Sequence, residues 1–190
     1  MPHEVEIKFL VSDLAALRAK LRAAEFREVT PRTHEMNVLY DLPGQALRSR
    51  GELVRIRKYG DLWTLTHKAP GAAGKHKARV ETETELKDGN ALERIFQSLG
   101  LDEIFRYEKY RSEWSDGQGD VVLDETPIGN VAEIEGPPEW IDAVAVKLGI
   151  SERDYITKSY AQLFEEWRQR TGSRAKEMTF AAVGSEVTRP

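Results

Sequence analysis

The sequence contains no cysteine among its 190 residues. This absence excludes disulfide bonds, thiolate metal sites and cysteine nucleophiles, and it fits a cytoplasmic protein. The sequence also lacks any run of about 18 apolar residues, so we expect no transmembrane helix and no membrane partner. Its first residues alternate between charged and apolar, whereas a secretion signal is basic and then apolar. We therefore expect a cytoplasmic location.

A strong excess of one charge is missing as well. The chain carries 28 basic and 32 acidic residues, for a net charge of −4. A general nucleic-acid binder would be strongly basic, so we expect no nucleic-acid partner. The lack of an extended basic surface also disfavours an RNA 5′-triphosphatase. With 40% hydrophobic and 32% charged residues, the composition indicates one globular domain with a sizeable core.

The most informative stretch is the first one, His3–Leu10, which reads HEVEIKFL. In a β-strand, successive side chains point to opposite faces. Glu4, Glu6 and Lys8 would then share one face, and the apolar residues between them would line the other. A face with two carboxylates and an ammonium is expected to contact water, metal or phosphate.

The same alternation recurs in most of the later segments that we predict to be strands. The basic residues on the charged faces are Lys8, Arg55, Arg57, Lys68, Arg79, Lys109 and Arg111. The acidic residues on these faces are Glu4, Glu6, Glu81, Glu83, Asp124, Glu133 and Glu135. The opposite faces are largely apolar, and four predicted amphipathic helices could cover them. The pattern predicts an antiparallel sheet with helices outside and charges inside.

The simpler alternative is that these charges face bulk water, as one side of an antiparallel sheet commonly does. The sorting by sign favours an enclosed face, because paired basic and paired acidic residues occupy separate strands. Enclosed charges need water, counter-ions or a ligand, since burying an unpaired ion is costly. Clustered carboxylates favour Mg²⁺ or Mn²⁺, and clustered lysines and arginines favour a polyanion. Together they indicate a metal-assisted polyphosphate site.

Helix signals place four helices along the chain. Ser12 is the expected cap of the first, and Asn90 that of the second, with Leu92, Ile95, Phe96 and Leu99 as a buried stripe. Pro138 begins the third helix and a residue near Ile156 the last.

Two further segments lack a strand or helix pattern. We expect a mobile loop over Ala69–Lys77, which is rich in glycine, alanine and lysine. The chain from Ser173 to Pro190 is expected to form a loosely attached tail. The predicted domain therefore covers residues 1–171, and the tail covers residues 172–190.

An ordered series of motifs resembles the CYTH superfamily, also called triphosphate tunnel metalloenzymes, and in particular its bacterial class IV adenylate cyclases and its thiamine triphosphatases. The resemblance covers roughly residues 4–167. It rests on Glu4-x-Glu6-x-Lys8, Leu53-Val54-Arg55-Ile56-Arg57, Leu65-Thr66-His67-Lys68, Arg79-Val80-Glu81-Thr82-Glu83, Lys109-Tyr110-Arg111, Asp124, Glu133-Ile134-Glu135-Gly136 and Lys158-Ser159-Tyr160.

The resemblance implies an α+β fold in which an eight-stranded antiparallel β-barrel closes, or nearly closes, into a tunnel with a charged interior and helices packed outside. It implies metal ligation of Mg²⁺ or Mn²⁺ by Glu4, Glu6, Glu81, Glu83, Asp124, Glu133 and Glu135. It implies triphosphate binding by Lys8, Arg55, Arg57, Lys68, Arg79, Lys109, Arg111 and Lys158. Catalytic roles are expected for Glu4, Glu6, Lys8 and Lys68.

Two reactions remain open on this scaffold. A class IV adenylate cyclase would convert ATP to cyclic AMP and pyrophosphate, and the turn at Tyr40–Pro43 and the Ser159-Tyr160 pair favour this branch. A triphosphatase would hydrolyse thiamine triphosphate, inorganic triphosphate or a nucleoside triphosphate. A third reading is a non-catalytic binder of polyphosphate or nucleotide, which the carboxylates disfavour. The oligomeric state is open, with a homodimer as one arrangement.

Overall fold

Eight antiparallel strands close into a barrel in the computed structural model, which describes residues 3–71 and 74–187. Around the barrel the strand order is β1-β5-β4-β3-β2-β6-β7-β8. The strands are β1 His3–Val11, β2 Arg27–Asp41, β3 Leu53–Tyr59, β4 Leu62–Lys68, β5 Lys77–Leu86, β6 Asp102–Ser115, β7 Asp120–Thr126 and β8 Gly129–Glu135. The predicted α+β fold and the closed barrel are confirmed.

Helices connect these strands or follow them. They are α1 Leu14–Ala23, α2 Ala46–Ser49, α3 Gly89–Ser98, α4 Pro138–Leu148, α5 Tyr160–Thr171 and α6 Phe180–Val187, with short 3₁₀ turns at Pro43–Gln45 and Glu152–Asp154. No helix in the described part of the chain is long and apolar enough to cross a membrane.

Strand β1 closes the barrel by joining β5 to β8, the last strand of the chain. On one side Glu4 lies opposite Arg79 of β5, and on the other Lys8 lies opposite Glu133 of β8. Alternation then directs the charged residues of β1 inward, while Ile7 stays fully buried against the outer helices. This arrangement forms the charged interior and an apolar layer outside it.

The two larger apolar clusters of the described residues join helices to the barrel. Helices α1 and α4 cover β1, β7 and β8, where Leu21 and Ile141 are fully buried. Helix α5 and the C-terminal segment form the second cluster, where Phe164 and Met178 are buried beside Tyr107 of β6, which also lines the tunnel described below. Each cluster buries large side chains and so stabilises the barrel wall.

Several predicted boundaries are wrong. Asp13, not Ser12, caps α1 by accepting a hydrogen bond from the Ala16 amide, and Asp88, not Asn90, caps α3 in the same way. The start expected near Ile156 lies instead at Tyr160, where Ser159 caps α5. In each case the residue directly before the first helical turn has a side-chain oxygen that accepts the hydrogen bond from a backbone amide of that turn.

The predicted buried stripe of α3 is also wrong in part. Leu92 and Phe96 pack against the barrel near Tyr40, but Ile95 and Leu99 are 52% and 70% exposed. The helix lies on the sheet along one narrow line, so only two of the four apolar positions reach the strands.

The tail and the loop differ from expectation too. The tail is not loosely attached, because Met178 is completely buried and pairs with Tyr107 through a β-bridge. In the predicted loop, Lys77 already belongs to β5, and residues 72–73 lie outside the described part of the chain. Residues 188–190 of the tail lie outside it as well.

Candidate active site

The inward-facing charges of the barrel surround a cavity of about 490 Å³. Thirteen of the residues predicted from the sequence line it, namely Glu4, Glu6, Lys8, Arg55, Arg57, Lys68, Arg79, Glu81, Glu83, Lys109, Arg111, Glu133 and Glu135. They come from six different strands, β1, β3, β4, β5, β6 and β8. The closed barrel therefore brings together residues that are up to about 130 positions apart in the sequence.

Four of these carboxylates form an acidic group, Glu4, Glu6, Glu133 and Glu135. Lys8 Nζ lies 2.7 Å from Glu6 and 3.2 Å from Glu133. Burial alone would raise the pKa of Glu6, but its neighbours Lys8 and Lys77 lower it to about 2. Glu6 is therefore ionised at neutral pH despite being buried.

Glu135 is the exception within the acidic group. It forms no ion pair with any lysine or arginine of the described residues. Burial and the nearby charges of Glu4, Glu133 and Glu6 raise the pKa of Glu135 to about 7. The part of the tunnel lined by the acidic group therefore carries more negative charge than the neighbouring cations offset.

The donor chemistry of this part of the tunnel fits a divalent cation, because carboxylate oxygens are the ligands that Mg²⁺ and Mn²⁺ prefer. No three acidic or histidine side chains within residues 3–71 and 74–187 already converge on one point. Lysines bind the carboxylates instead, with Lys68 Nζ 2.6 Å from Glu4 and Lys77 Nζ 2.5 Å from Glu6. A metal would have to take these oxygens from the lysines.

The remaining wall carries a basic group, Arg55, Arg57, Lys109 and Arg111. Arg57 lies 2.9 Å from Glu83, and Thr66 donates a hydrogen bond to the same carboxylate at 2.5 Å. Burial would lower the pKa of Arg111, but Asp124 and Glu133 hold it well above its usual range. Arg111 is therefore cationic despite its burial, as polyphosphate binding requires.

Asp124 was predicted as a metal ligand, but the structure places it behind the cavity wall. It is fully buried and does not line the cavity. It accepts hydrogen bonds from Lys109 at 2.9 Å, from Arg111 at 2.6 and 2.8 Å and from the Tyr160 hydroxyl at 2.5 Å. Its oxygens already have these donors, so it serves here as a buried partner of two tunnel cations.

Lys158 was predicted to bind triphosphate, and the structure places it elsewhere. Its side chain is 50% exposed, and its Nζ pairs with Glu166 at 2.5 Å. It does not line the cavity, whereas the adjacent Ser159 and Tyr160 do. The matched Lys158-Ser159-Tyr160 segment therefore reaches the cavity through its last two residues, whereas Lys158 faces outward.

Two charged residues of this region, Lys77 and Glu35, were not predicted from the sequence. Lys77 lines the cavity and binds Glu6, but it lies in the segment predicted to be a loop. Glu35 is completely buried beside Lys109 and Arg111. Lys77 could have been found from its alternation with Arg79, but nothing around Glu35 repeats its charge.

A second cavity of about 910 Å³, here called the outer chamber, adjoins the tunnel. The two share wall residues that include Leu39, Leu53, Lys77 and Arg79. The outer chamber adds apolar side chains such as Phe105. A molecule with a polyphosphate end and an organic end could therefore occupy both cavities.

A closed eight-stranded barrel around a charged tunnel defines the structural class of this chain. The family model for the CYTH domain matches residues 2–160, and the chain belongs to this family. The family membership predicted from the motifs is confirmed.

Among curated proteins, the chain is 25% identical over 171 residues to a Methanocaldococcus jannaschii protein named "putative adenylate cyclase", covering 84% of this chain and 97% of that protein. A Vibrio parahaemolyticus structure with the same description has a TM-score of 0.76 at 21% identity, covering 85% of this chain and 97% of that one. A Hippeastrum protein described as a "putative adenylyl cyclase" with a dominant triphosphatase activity has a TM-score of 0.61 at 18% identity, over 86% of this chain and 95% of that one. Both structures share the fold.

Proposed function

We propose that the protein is a metal-dependent enzyme that acts on a triphosphate held in the tunnel, with the activity of a class IV adenylate cyclase. The observation that carries this proposal is the enclosed cavity in which the acidic group faces the basic group. Phosphate binding alone needs only cations, so four carboxylates on the same cavity support metal-assisted chemistry over simple binding.

The chain's own cations would hold the polyphosphate. The basic group, with Arg79, would bind its oxygens by bidentate and point-charge contacts. Lys8 and Lys68 also line the tunnel, and each pairs with carboxylates there. They would offset charge that develops on the phosphate undergoing reaction.

Glu4, Glu6, Glu133 and Glu135 would hold Mg²⁺ or Mn²⁺, with Glu81 and Glu83 as further candidates. When bound, the metal would neutralise phosphate oxygens and polarise the phosphorus under attack.

The outer chamber favours a substrate that carries an organic group, such as ATP, over inorganic triphosphate. In the cyclase reaction the ribose 3′-hydroxyl attacks the α-phosphorus, and pyrophosphate leaves. Such a substrate needs room for a nucleoside next to the triphosphate, and the outer chamber supplies about 910 Å³ beside the tunnel. The name of the Methanocaldococcus jannaschii relative supports the cyclase reaction.

The alternative is a triphosphatase, in which water attacks the terminal phosphorus, the diphosphate end of the substrate leaves, and the attacked phosphoryl group is released as orthophosphate. The description of the Hippeastrum protein, which has the same fold, supports this alternative. Thiamine triphosphate, inorganic triphosphate and nucleoside triphosphates are its candidate substrates.

The test is a substrate panel with product identification. Purified protein would receive ATP, thiamine triphosphate or inorganic triphosphate with Mg²⁺ or Mn²⁺, and chromatography would separate cyclic AMP, pyrophosphate and orthophosphate. We expect cyclic AMP and pyrophosphate from ATP, and a loss of about 100-fold or more in turnover for Glu4→Ala.

The matched control is Glu166→Gln, which changes a surface carboxylate paired with Lys158 and should keep full turnover. Orthophosphate without cyclic AMP would replace the cyclase assignment with the triphosphatase. Absence of turnover for all three substrates with both metals would overturn the enzyme proposal.

A further inference from the structure

Glu35 is a buried charge for which the proposed function has no use. It lies on the inner face of β2, directly opposite Tyr59 of β3 and Lys109 of β6. Its exposure is 0%, and it does not line the tunnel cavity, whereas Lys109 does. An ionised carboxylate in such a place is costly unless its surroundings favour it.

The contacts of Glu35 leave part of its carboxylate unused. Asn37 Nδ2 donates a hydrogen bond to Oε1 at 2.8 Å. Lys109 Nζ lies 3.5 Å from Oε1, and Arg111 Nε lies 3.8 Å from Oε2. The Oε2 atom has no hydrogen-bond partner among the described residues.

The surroundings keep Glu35 ionised. Burial would raise its pKa, but Lys109, Arg111, Arg57 and Arg55, in that order of effect, lower the pKa to about 2. These four side chains are the basic group of the tunnel. Glu35 is therefore a negative charge directly behind the surface on which the polyphosphate would lie.

Asp124 already supplies the close hydrogen bonds of the two nearest cations. Lys109 lies 2.9 Å and Arg111 2.6 Å from Asp124, which is shorter than their distances to Glu35. Glu35 is thus not required to satisfy their donors. Its main effect on them is the attraction of its charge over 3.5 Å and 3.8 Å.

We propose that Glu35 is a positioning residue that acts through Lys109 and Arg111, drawing them toward the wall and reducing the attraction of the basic group for polyphosphate. This inference rests on the proposed function, because it requires that the basic group binds triphosphate. A site whose cations were fully uncompensated would hold the polyphosphate product as firmly as the substrate, and turnover would slow.

The test measures binding of inorganic triphosphate by calorimetry, in EDTA and at fixed ionic strength. Glu35→Gln keeps the shape and removes the charge, so we expect affinity about tenfold or more above wild type. Glu35→Asp keeps the charge and should stay near the wild-type affinity. The control Glu113→Gln changes a carboxylate on the same sheet that bonds Thr30 and does not line the cavity, and should leave affinity unchanged.

A steady-state measurement separates this role from simple damage to the fold. With metal and substrate present, Glu35→Gln should lower KM and kcat together, whereas a loosened structure would raise KM. Circular dichroism would confirm that each variant is folded.

The outcomes distinguish the two proposals. If wild type binds no inorganic triphosphate with or without Mg²⁺, the proposed function fails, and the role of Glu35 fails with it. If wild type binds and folded Glu35→Gln binds equally or more weakly, only the role of Glu35 is overturned. Should Glu35→Gln not fold, Glu35→Asp decides, because a loss of about tenfold in that charge-preserving variant would contradict the proposal.

Discussion

Three glutamates of this barrel have different ionisation properties because their neighbours differ. Glu6 lies between two lysines, and they lower its pKa to about 2 against the effect of burial. Glu135 has other carboxylates as neighbours, and burial together with their charges raises its pKa to about 7. Glu35 is the most buried, yet four cations keep it ionised. The sign of the surrounding charge decides the state of each carboxyl group.

The cations around Glu35 should make the free energy of unfolding depend on pH. Its pKa falls from 4.5 in the unfolded chain to about 2 in the folded protein, so the ionised form stabilises the fold above about pH 4.5. That contribution, about 3 kcal/mol, is lost as the pH falls toward 2. Urea unfolding of wild type and Glu35→Gln should therefore give a difference that is largest at pH 6–7 and shrinks in acid. A difference that stays constant from pH 7 to pH 3 would contradict the assignment.

The residues that sequence alone could place are those whose pattern repeats. Arg55 and Arg57 could be assigned to an inner face because charged and apolar residues alternate along β3. Glu35 could not, because the inner positions that follow it on β2 are Asn37 and Leu39, which repeat no charge. Lys158 faces outward and pairs with Glu166, because sequence adjacency to Tyr160 does not fix the direction of its side chain.

At the scale of elements, strands were easier to predict than helix ends. The bounds of β3 and β4 follow from alternation between two clear turn signals, and the structure reproduces them. Helix α3 shows the difficulty, because Asp88 and Asn90 can both cap a helix. The choice between them depends on packing, since Gly89 lies directly against the Trp63 ring of β4.

That contact predicts the effect of a methyl group at Gly89. A Cβ there would lie 2.0 Å from the Trp63 ring, so Gly89→Ala should push α3 away from the sheet and cost about 1–3 kcal/mol. The matched control is Gly184→Ala in α6, where an added Cβ would meet no atom of the described residues within 4 Å, and which should raise stability by about 0.5–1 kcal/mol. Denaturant unfolding would measure both. Equal effects of the two substitutions would contradict the packing argument.

At the scale of the whole molecule, the C-terminal segment completes the apolar layer. Met178 packs with Phe164 of α5 and Tyr107 of β6, and its backbone exchanges hydrogen bonds with the barrel wall at Arg106 and Glu108. Its sequence, which mixes small and charged residues, gave no sign of this attachment. The attachment depends on one fully buried methionine. A single apolar residue gives no periodic pattern from which it could be predicted.

Truncating that side chain should therefore destabilise the whole barrel. Met178→Ala removes a side chain with 0% exposure, and we expect a loss of about 2–4 kcal/mol in the free energy of unfolding. The control is Phe180→Ala, two residues further on, where the side chain is 37% exposed and the loss should be smaller. Thermal and urea unfolding would test the pair. A Met178→Ala variant as stable as wild type would mean that the tail does not support the barrel.

The double pairing of β1 has a consequence for the order in which the protein folds. Its two partner strands, β5 and β8, begin more than 60 and more than 110 residues after β1 ends. During synthesis on a ribosome, β1 therefore cannot pair with both partner strands until most of the chain has emerged. Such distant pairings are slow to form, so closure is expected to be a late folding step. Until then Glu4 and Glu6 remain hydrated. The tunnel forms only when β1, the first strand of the chain, pairs with β8, the last.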